Sequence, residues 1–305
     1  MMRYSALGLL VAVLCVWAIL LLAGDYALAH PALFTLNCLL LSLLLALHSS
    51  LSHEAVHGHI IKPRWLNDAL VCPNPSLFLP YLRYKQTHIQ HHECEALGHP
   101  TEDPESYYLR SDIWAKLPII GRLTHHLLST FMGRLFLGWL RMCFGGTASD
   151  VKACLRGDKA VIYAWLVHFL TLIPILAVLF SSSWISLPSY ILFCVVPASM
   201  LLTVRSYIEH RAERENENRS VIVESNWFWN LLFLNNNLHL VHHEKPQLSW
   251  WEVGRDFGQN RAYWQAQTQG YFFTGYAEVF KAFFIRAPRW LSPPVYPDKP
   301  KHHEN

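Results

Sequence analysis

The chain has 305 residues, 52% of them hydrophobic and only 15% charged, with a formal net charge of +3. Soluble domains carry about a quarter charged residues, so the composition weighs against a water-soluble protein and toward the membrane. No dense basic cluster supports nucleic acid as a partner, and seven cysteines without close pairs do not make a disulfide framework.

Residues 6–23 are continuously apolar; at ~1.5 Å per residue they cover roughly 27 Å, close to the core of a bilayer. Arg3 ahead of this run and Ala27-Leu28-Ala29 behind it also fit a cleavable secretory signal. The run is longer than a signal core, and a second apolar stretch, residues 33–51, follows almost at once, so a membrane helix is expected. Residues 117–144 mix apolar side chains with Arg122, Arg134, Arg141, His125 and His126, the pattern of helices lying in the membrane surface. Residues 161–180 and 184–204 read as a third and a fourth span, joined by Ser181-Ser182-Ser183 and kinked at Pro174 and Pro197. The mixed-charge run from Arg211 to Arg219 reads as a solvated connector. From Ala287 the chain is rich in proline and charge, so residues 1–286 are expected to form one membrane domain and 287–305 a disordered tail. The expected fold class is all-α: an integral membrane protein of four transmembrane helices, with interfacial helices and a histidine-rich cap.

Orientation follows from the basic residues. Residues 24–30 and 181–183 contain no lysine or arginine, so all 25 fall on the other side, which the positive-inside tendency assigns to the cytoplasm. Both termini and every histidine run then face the cytoplasm.

Three histidine runs carry the chemistry. The first is His53-Glu54-Ala55-Val56-His57, at the membrane exit of the second span. The second, His88-Ile89-Gln90-His91-His92, and the third, His239-Leu240-Val241-His242-His243, share one spacing. Residues three or four apart share a helix face, so each run points its imidazoles one way. Neutral imidazole suits zinc, copper, iron and nickel alike. The eight histidines are joined by a ninth candidate, His210, at the end of the fourth span. One ion takes about four to six ligands, so two metals fit the count. Isolated histidines are read differently: His30, His48, His99, His125, His126 and His168 as satisfied interior groups, His59 as facing away from its neighbours. His302 and His303 belong to the tail and are set aside.

Glu54, Glu93, Glu209 and Glu244 adjoin ligands and are candidates to hydrogen-bond the far nitrogen of an imidazole, with solvated charge as the plain alternative. Asn235 to Asn237 read as a helix cap, and Trp250 and Trp251 as members of the interfacial aromatic belt. Cys94, beside the second run, is assigned a structural role, like Cys15, Cys38 and Cys194 in the apolar runs.

Read alone, His53-Glu54-Ala55-Val56-His57 is also the H-E-x-x-H motif of zinc peptidases, with glutamate activating a metal-bound water. That reading leaves six or seven histidines without a task. The ordered set H-x-x-x-H, H-x-x-H-H, H-x-x-H-H, placed around two pairs of spans, resembles the integral-membrane fatty acid desaturase family from about Leu33 to Trp251. The stretches Asn235–Glu244 and Arg205–His210 are similar to its bacterial members. The resemblance implies two non-haem irons held by His53, His57, His88, His91, His92, His239, His242 and His243, with His210 as the further ligand. It implies an O2-dependent oxidoreductase that places a double bond in a fatty acyl or other lipid alkyl chain. Hydroxylases and carotenoid ketolases share the three runs, so an alcohol or ketone product stays open, as does a non-catalytic metal-binding protein. An unactivated C–H bond has no polar handle for acid–base chemistry, whereas a redox metal that activates dioxygen attacks it; zinc lacks that redox couple. No glycine-rich dinucleotide fingerprint follows a strand, so electrons are expected from an external donor such as a ferredoxin, rubredoxin or cytochrome.

Overall fold

The computed structural model describes residues 5–212 and 219–296. Among these residues the chain is helical, apart from a two-residue parallel pair, Ile222–Val223 with Phe272–Phe273. Four helices are long and apolar enough to cross a membrane: Ser5–Leu22, Pro31–Val56, Lys159–Phe180 and Leu187–Ser206. Each covers one of the expected spans, because a run of eighteen or more apolar residues leaves the backbone in lipid no other way to satisfy its polar groups.

By its internal contacts the chain forms two compact units. The first comprises Met1–Gln86, Trp139–Thr203 and Phe228–Leu234 and contains the spans up to Thr203. Its core gathers Trp17, Leu21, Leu41, Leu45, Ile175, Leu179, Tyr190 and Cys194. Among lipid-embedded helices apolar burial supplies little net attraction, so close packing and polar links between helices carry the association. Such links recur here. Trp17 Nε1 donates to Tyr190 Oη at 2.9 Å, and Tyr190 Oη donates onward to the Pro75 carbonyl at 2.9 Å. Ser50 Oγ donates to the Leu232 carbonyl, and Thr171 Oγ1 to that of Cys72. His168 Nε2 lies 2.8 Å from the Leu77 carbonyl, the interior histidine expected, although its Nδ1 is buried with no hydrogen-bond partner among the described residues.

Both prolines lie within spans. Pro174 sits inside the third span. Before Pro197 the fourth span opens into a π turn, Ile191–Val195. A proline cannot donate to the carbonyl four residues back; here that is Phe193, and Ser42 Oγ lies 3.4 Å from it.

The second unit comprises Thr87–Gly138, Val204–Trp227 and Asn235–Asn305. The helix Ile119–Leu128 leaves Ile119, Ile120, Leu123 and Leu127 exposed on one stripe, while His126 packs against Trp114 with ring centroids 5.2 Å apart. That is the amphipathic surface helix expected. A second core gathers Ile222, Leu238, Leu240, Val241, Val253, Phe257 and Trp264 around the third histidine run.

One boundary differs from the sequence reading. Residues 287–296 are folded: Leu109 N donates to the Pro294 carbonyl, Tyr296 N donates to the Leu109 carbonyl, and Tyr296 is buried. Composition alone reads proline-rich chain as tail, but aromatic and backbone contacts hold this piece down. Residues 297–305, with His302 and His303, and residues 213–218 of the connector lie outside the described residues.

Candidate metal centre

The first run lies at the end of the second span, in the first unit. Helix stops at Val56, where Gly58 adopts φ +80° and the His59 amide reaches back to the Glu54 carbonyl at 3.1 Å. Buried Asn67 braces the exit: its Nδ2 donates to the Ala55 carbonyl and its Oδ1 accepts from Ile60 N. His53 and His57 share one face, with ring centroids 5.2 Å apart and ligand nitrogens within 4.8 Å. Glu54 Oε2 contacts His59 Nδ1 at 3.2 Å, so His59 engages the motif's glutamate.

The second unit gathers the other seven. His88, His91 and His92 end the helix Tyr81–His92, and His239, His242 and His243 belong to the helix His239–Glu244. His210 follows the fourth span in an isolated bridge with Ser220. The ligand nitrogens of His91, His210, His239 and His243 all lie within 4.8 Å of one another, and so do those of His88, His92 and His242.

Hydrogen bonds at the far ring nitrogens fix which way these groups present their lone pairs. His91 Nδ1 lies 2.9 Å from Asp103 Oδ1, and His88 Nδ1 lies 3.0 Å from Glu105 Oε1. A carboxylate only accepts, so both imidazoles donate from Nδ1 and keep a bare lone pair on Nε2. His239 Nδ1 faces Asn236 Oδ1 at 3.1 Å, with the same result. His91 Nε2 and His239 Nε2 then both point at His210 Nε2, at 2.9 and 3.0 Å. One proton on His210 serves only one of them, so lone pair faces lone pair in the other contact. His92 Nε2 is likewise wedged between His88 Nε2 at 3.1 Å and His242 Nε2 at 3.0 Å. His243 Nε2 is buried with no hydrogen-bond partner. A cation in each group relieves this crowding. Two nitrogens bound at ~2.1 Å and at right angles to one ion stand about 3.0 Å apart, the spacing found here. The donor sets fit a metal ion.

Electrostatics agree. Burial, followed by the charges of neighbouring imidazoles, pushes His210, His239 and His243 well below their ordinary value, and His92 down to about 3. These four imidazoles are neutral at physiological pH, the state a metal ligand requires. His91 moves the other way: burial opposes its protonation, but the Asp103 hydrogen bond and the charges of Glu105 and Asp103 outweigh burial. For the four depressed groups the unfolded chain binds more protons below the ordinary histidine value of ~6.5. The metal-free protein is therefore expected to keep their full contribution above pH ~6.5 and to lose stability progressively as the pH falls below it. Bound metal is expected to be released over the same acid range, because protons compete for the same nitrogens. Thermal denaturation and metal content, each followed against pH, check both.

Several supporting groups differ from the sequence reading. Glu93 and Glu244 are exposed and take the plain solvated role. Glu209 Oε1 is 3.0 Å from Arg205 Nε and stands 3.9 Å from His239 Nδ1. Asp103 and Glu105, in the loop Glu102-Asp103-Pro104-Glu105, are carboxylates that hydrogen-bond candidate ligands, His91 and His88. Asp103 also accepts the amides of Gly98 and Glu105, at 2.7 and 2.9 Å. The acidic cluster between Pro100 and Pro104, a dozen residues past the second run, was the signal available for it. The three asparagines form no helix cap. Asn235 Nδ2 donates to the Trp250 carbonyl, Asn236 orients His239, and Asn237 Nδ2 donates to the Val223 carbonyl. A Cβ on Gly254 would stand 2.6 Å from Asn235 Nδ2. Gly254→Ala is accordingly expected to cost about 1–3 kcal/mol through overpacking, read as a lowered melting temperature, and to loosen the turn that carries Asn236.

Of the histidines set aside, His30 is exposed and caps the second span through Nδ1, rather than lying in the interior. His48 is buried, yet its Nε2 has no hydrogen-bond partner among the described residues, so it is interior without being satisfied. His99 is half-buried beside Glu102. All seven cysteines are free. Burial pushes the Cys94 thiol up, which disfavours the reactive thiolate.

An almost entirely helical chain with four membrane-length apolar helices and convergent buried imidazoles defines a class: polytopic membrane proteins with histidine clusters that could hold metal. The family model for fatty acid desaturases matches residues 29–275, and the chain belongs to that family. Membership places it among oxidoreductases. No curated protein matches the chain.

Proposed function

We propose that this protein is a dioxygen-dependent, non-haem di-iron oxidoreductase that introduces a double bond into a fatty acyl or other lipid alkyl chain. The observation that carries it is the convergence of bare Nε2 lone pairs from distant segments, in a chain of the desaturase family. His91, His210, His239 and His243 hold one iron. His88, His92 and His242 hold the other, with His53 and His57 as the further ligands that the family's first histidine run supplies.

When bound, the two irons supply the redox chemistry that removes two hydrogens from an unactivated alkyl chain with O2 as oxidant. The chain's own residues orient and insulate. Asp103 and Glu105 retain the Nδ1 protons of His91 and His88, which fixes their tautomers and raises their basicity as ligands. Asn236 does the same for His239. Burial keeps competing water from the imidazoles. The histidines and both termini face the cytoplasm, because the short connections at 24–30 and 181–186 carry no lysine or arginine. An external donor, a ferredoxin, rubredoxin or cytochrome, brings electrons to that face.

Reconstituted protein with iron, a reductant, a donor and a lipid substrate is expected to consume O2 and yield a product two mass units lighter. A product sixteen units heavier would replace this reading with hydroxylation. One zinc per chain, with peptide cleavage that Glu54→Gln abolishes, would replace it with the peptidase.

A further inference from the structure

The first unit holds a cavity at a distance from His53 and His57. It has a volume of about 660 Å³ and is walled by Pro31, Phe34, Cys38, Leu39, Phe193 and Pro197, among others. Pockets of this volume take small organic ligands or single alkyl chains. Phe34 and His53 are nineteen residues apart on one helix, about 28 Å along its axis. The cavity therefore sits toward the opposite end of the span from His53 and His57.

Three features specify an occupant. The cavity forms where the fourth span widens into the π turn Ile191–Val195 before Pro197. Such turns recur at binding sites because they interrupt the regular helix surface. Exposed Leu28 and Leu39 line the cavity, and the two membrane-length helices that wall it also expose Leu36 and Leu192, an outward apolar surface. Finally, His30 lines the cavity, and its Nδ1 accepts the Ala32 amide at 3.1 Å. A neutral imidazole that accepts at Nδ1 carries its proton on Nε2, which supplies a hydrogen-bond donor to a mostly apolar site; the Thr35 hydroxyl, also in the lining, already donates to the Pro31 carbonyl.

We propose that this cleft binds one acyl chain of a membrane phospholipid, with an ester or phosphate oxygen of that lipid accepting a hydrogen bond from His30 Nε2. The chain lies against Phe34, Leu39 and Phe193, and the polar end stays at the membrane surface where the second span begins. This site is separate from the metal centre and does not depend on which reaction the centre performs.

Photolabelling of the full-length protein tests it. The protein is placed in phosphatidylcholine nanodiscs doped either with phosphatidylcholine bearing a diazirine on one acyl chain or with the matching diazirine fatty acid. Adducts from the phospholipid probe are expected on peptides covering residues 27–39 and 191–197, in excess over those on the exposed third-span face at Leu166, Phe169, Leu170 and Ile173. His30→Asn keeps a capping side chain but removes the Nε2 donor, and is expected to lower the cleft adducts about fivefold, the worth of one hydrogen bond. Leu39→Trp, which fills the cleft, is expected to abolish the excess. Unchanged metal content in both variants shows that the fold is kept. Equal labelling of the two faces, adducts from the fatty acid alone, or adducts unchanged in His30→Asn with the metal retained would each overturn the proposal.

Discussion

His239→Ala is expected to lower the metal content of the purified protein by about half, since one of two ions loses a ligand from a set of four. Oxidation of the lipid should fall by more than about 100-fold, because even partners that only orient a ligand are worth about 10–100-fold. The crowding at His210 sets both effects. Its Nε2 is 3.0 Å from that of His239 and 2.9 Å from that of His91. Removing His239 relieves that crowding, so the metal-free protein should be no less stable, while the loaded protein loses the stabilisation that metal binding gives the folded state. Elemental analysis and melting temperatures, with and without iron, separate these two effects. A peptidase working from the first run alone would keep its metal and its activity in this variant. That contrast makes His239 more informative than a change in the first run.

The second large effect is expected at Asp103, which no histidine pattern announces. Its carboxylate is buried and accepts from His91 Nδ1 and from the amides of Gly98 and Glu105. Asp103→Asn nearly preserves shape but turns one accepting oxygen into a donor, so at least one of these bonds is lost and His91 is no longer held by a charge. Metal affinity is expected to fall about 10–100-fold, with a cost in stability of about 1–3 kcal/mol for the donor left unsatisfied. Asp103→Ala should cost more on both counts. Glu105→Gln is the useful comparison: Glu105 supports His88 alone and is more exposed, so its effect should be smaller. Iron titration of the three variants, monitored by protein melting, gives the order directly. Equal affinity in all three would show that these carboxylates leave the metal site untouched.

The spans and histidine runs were legible in the sequence for a shared reason. A membrane helix announces itself by the sum of some twenty apolar residues, and a ligand run by repeats at three and four; both signals are local. What stayed hidden depends on chain returning from a distance. Asp103 meets His91 across a proline-bounded loop with no period to detect. Asn236 was visible as part of an asparagine run, but its task of holding His239 was not. Glu93 and Glu244 misled for a geometric reason: an immediate neighbour on a helix is turned about 100° away from the ligand face. Residues 287–296 misled by composition, because Tyr296 and the Leu109 backbone outweigh the prolines around them.

The candidate ligands of the second unit draw on segments made at very different moments of synthesis. His91 precedes the last two spans, His210 follows them, and His239 and His243 come later still. A ribosome must emit residue 239 before either group of imidazoles in that unit is complete, by which time all four spans have left the exit tunnel. A product that stops before His243 is thus left without the four-nitrogen set.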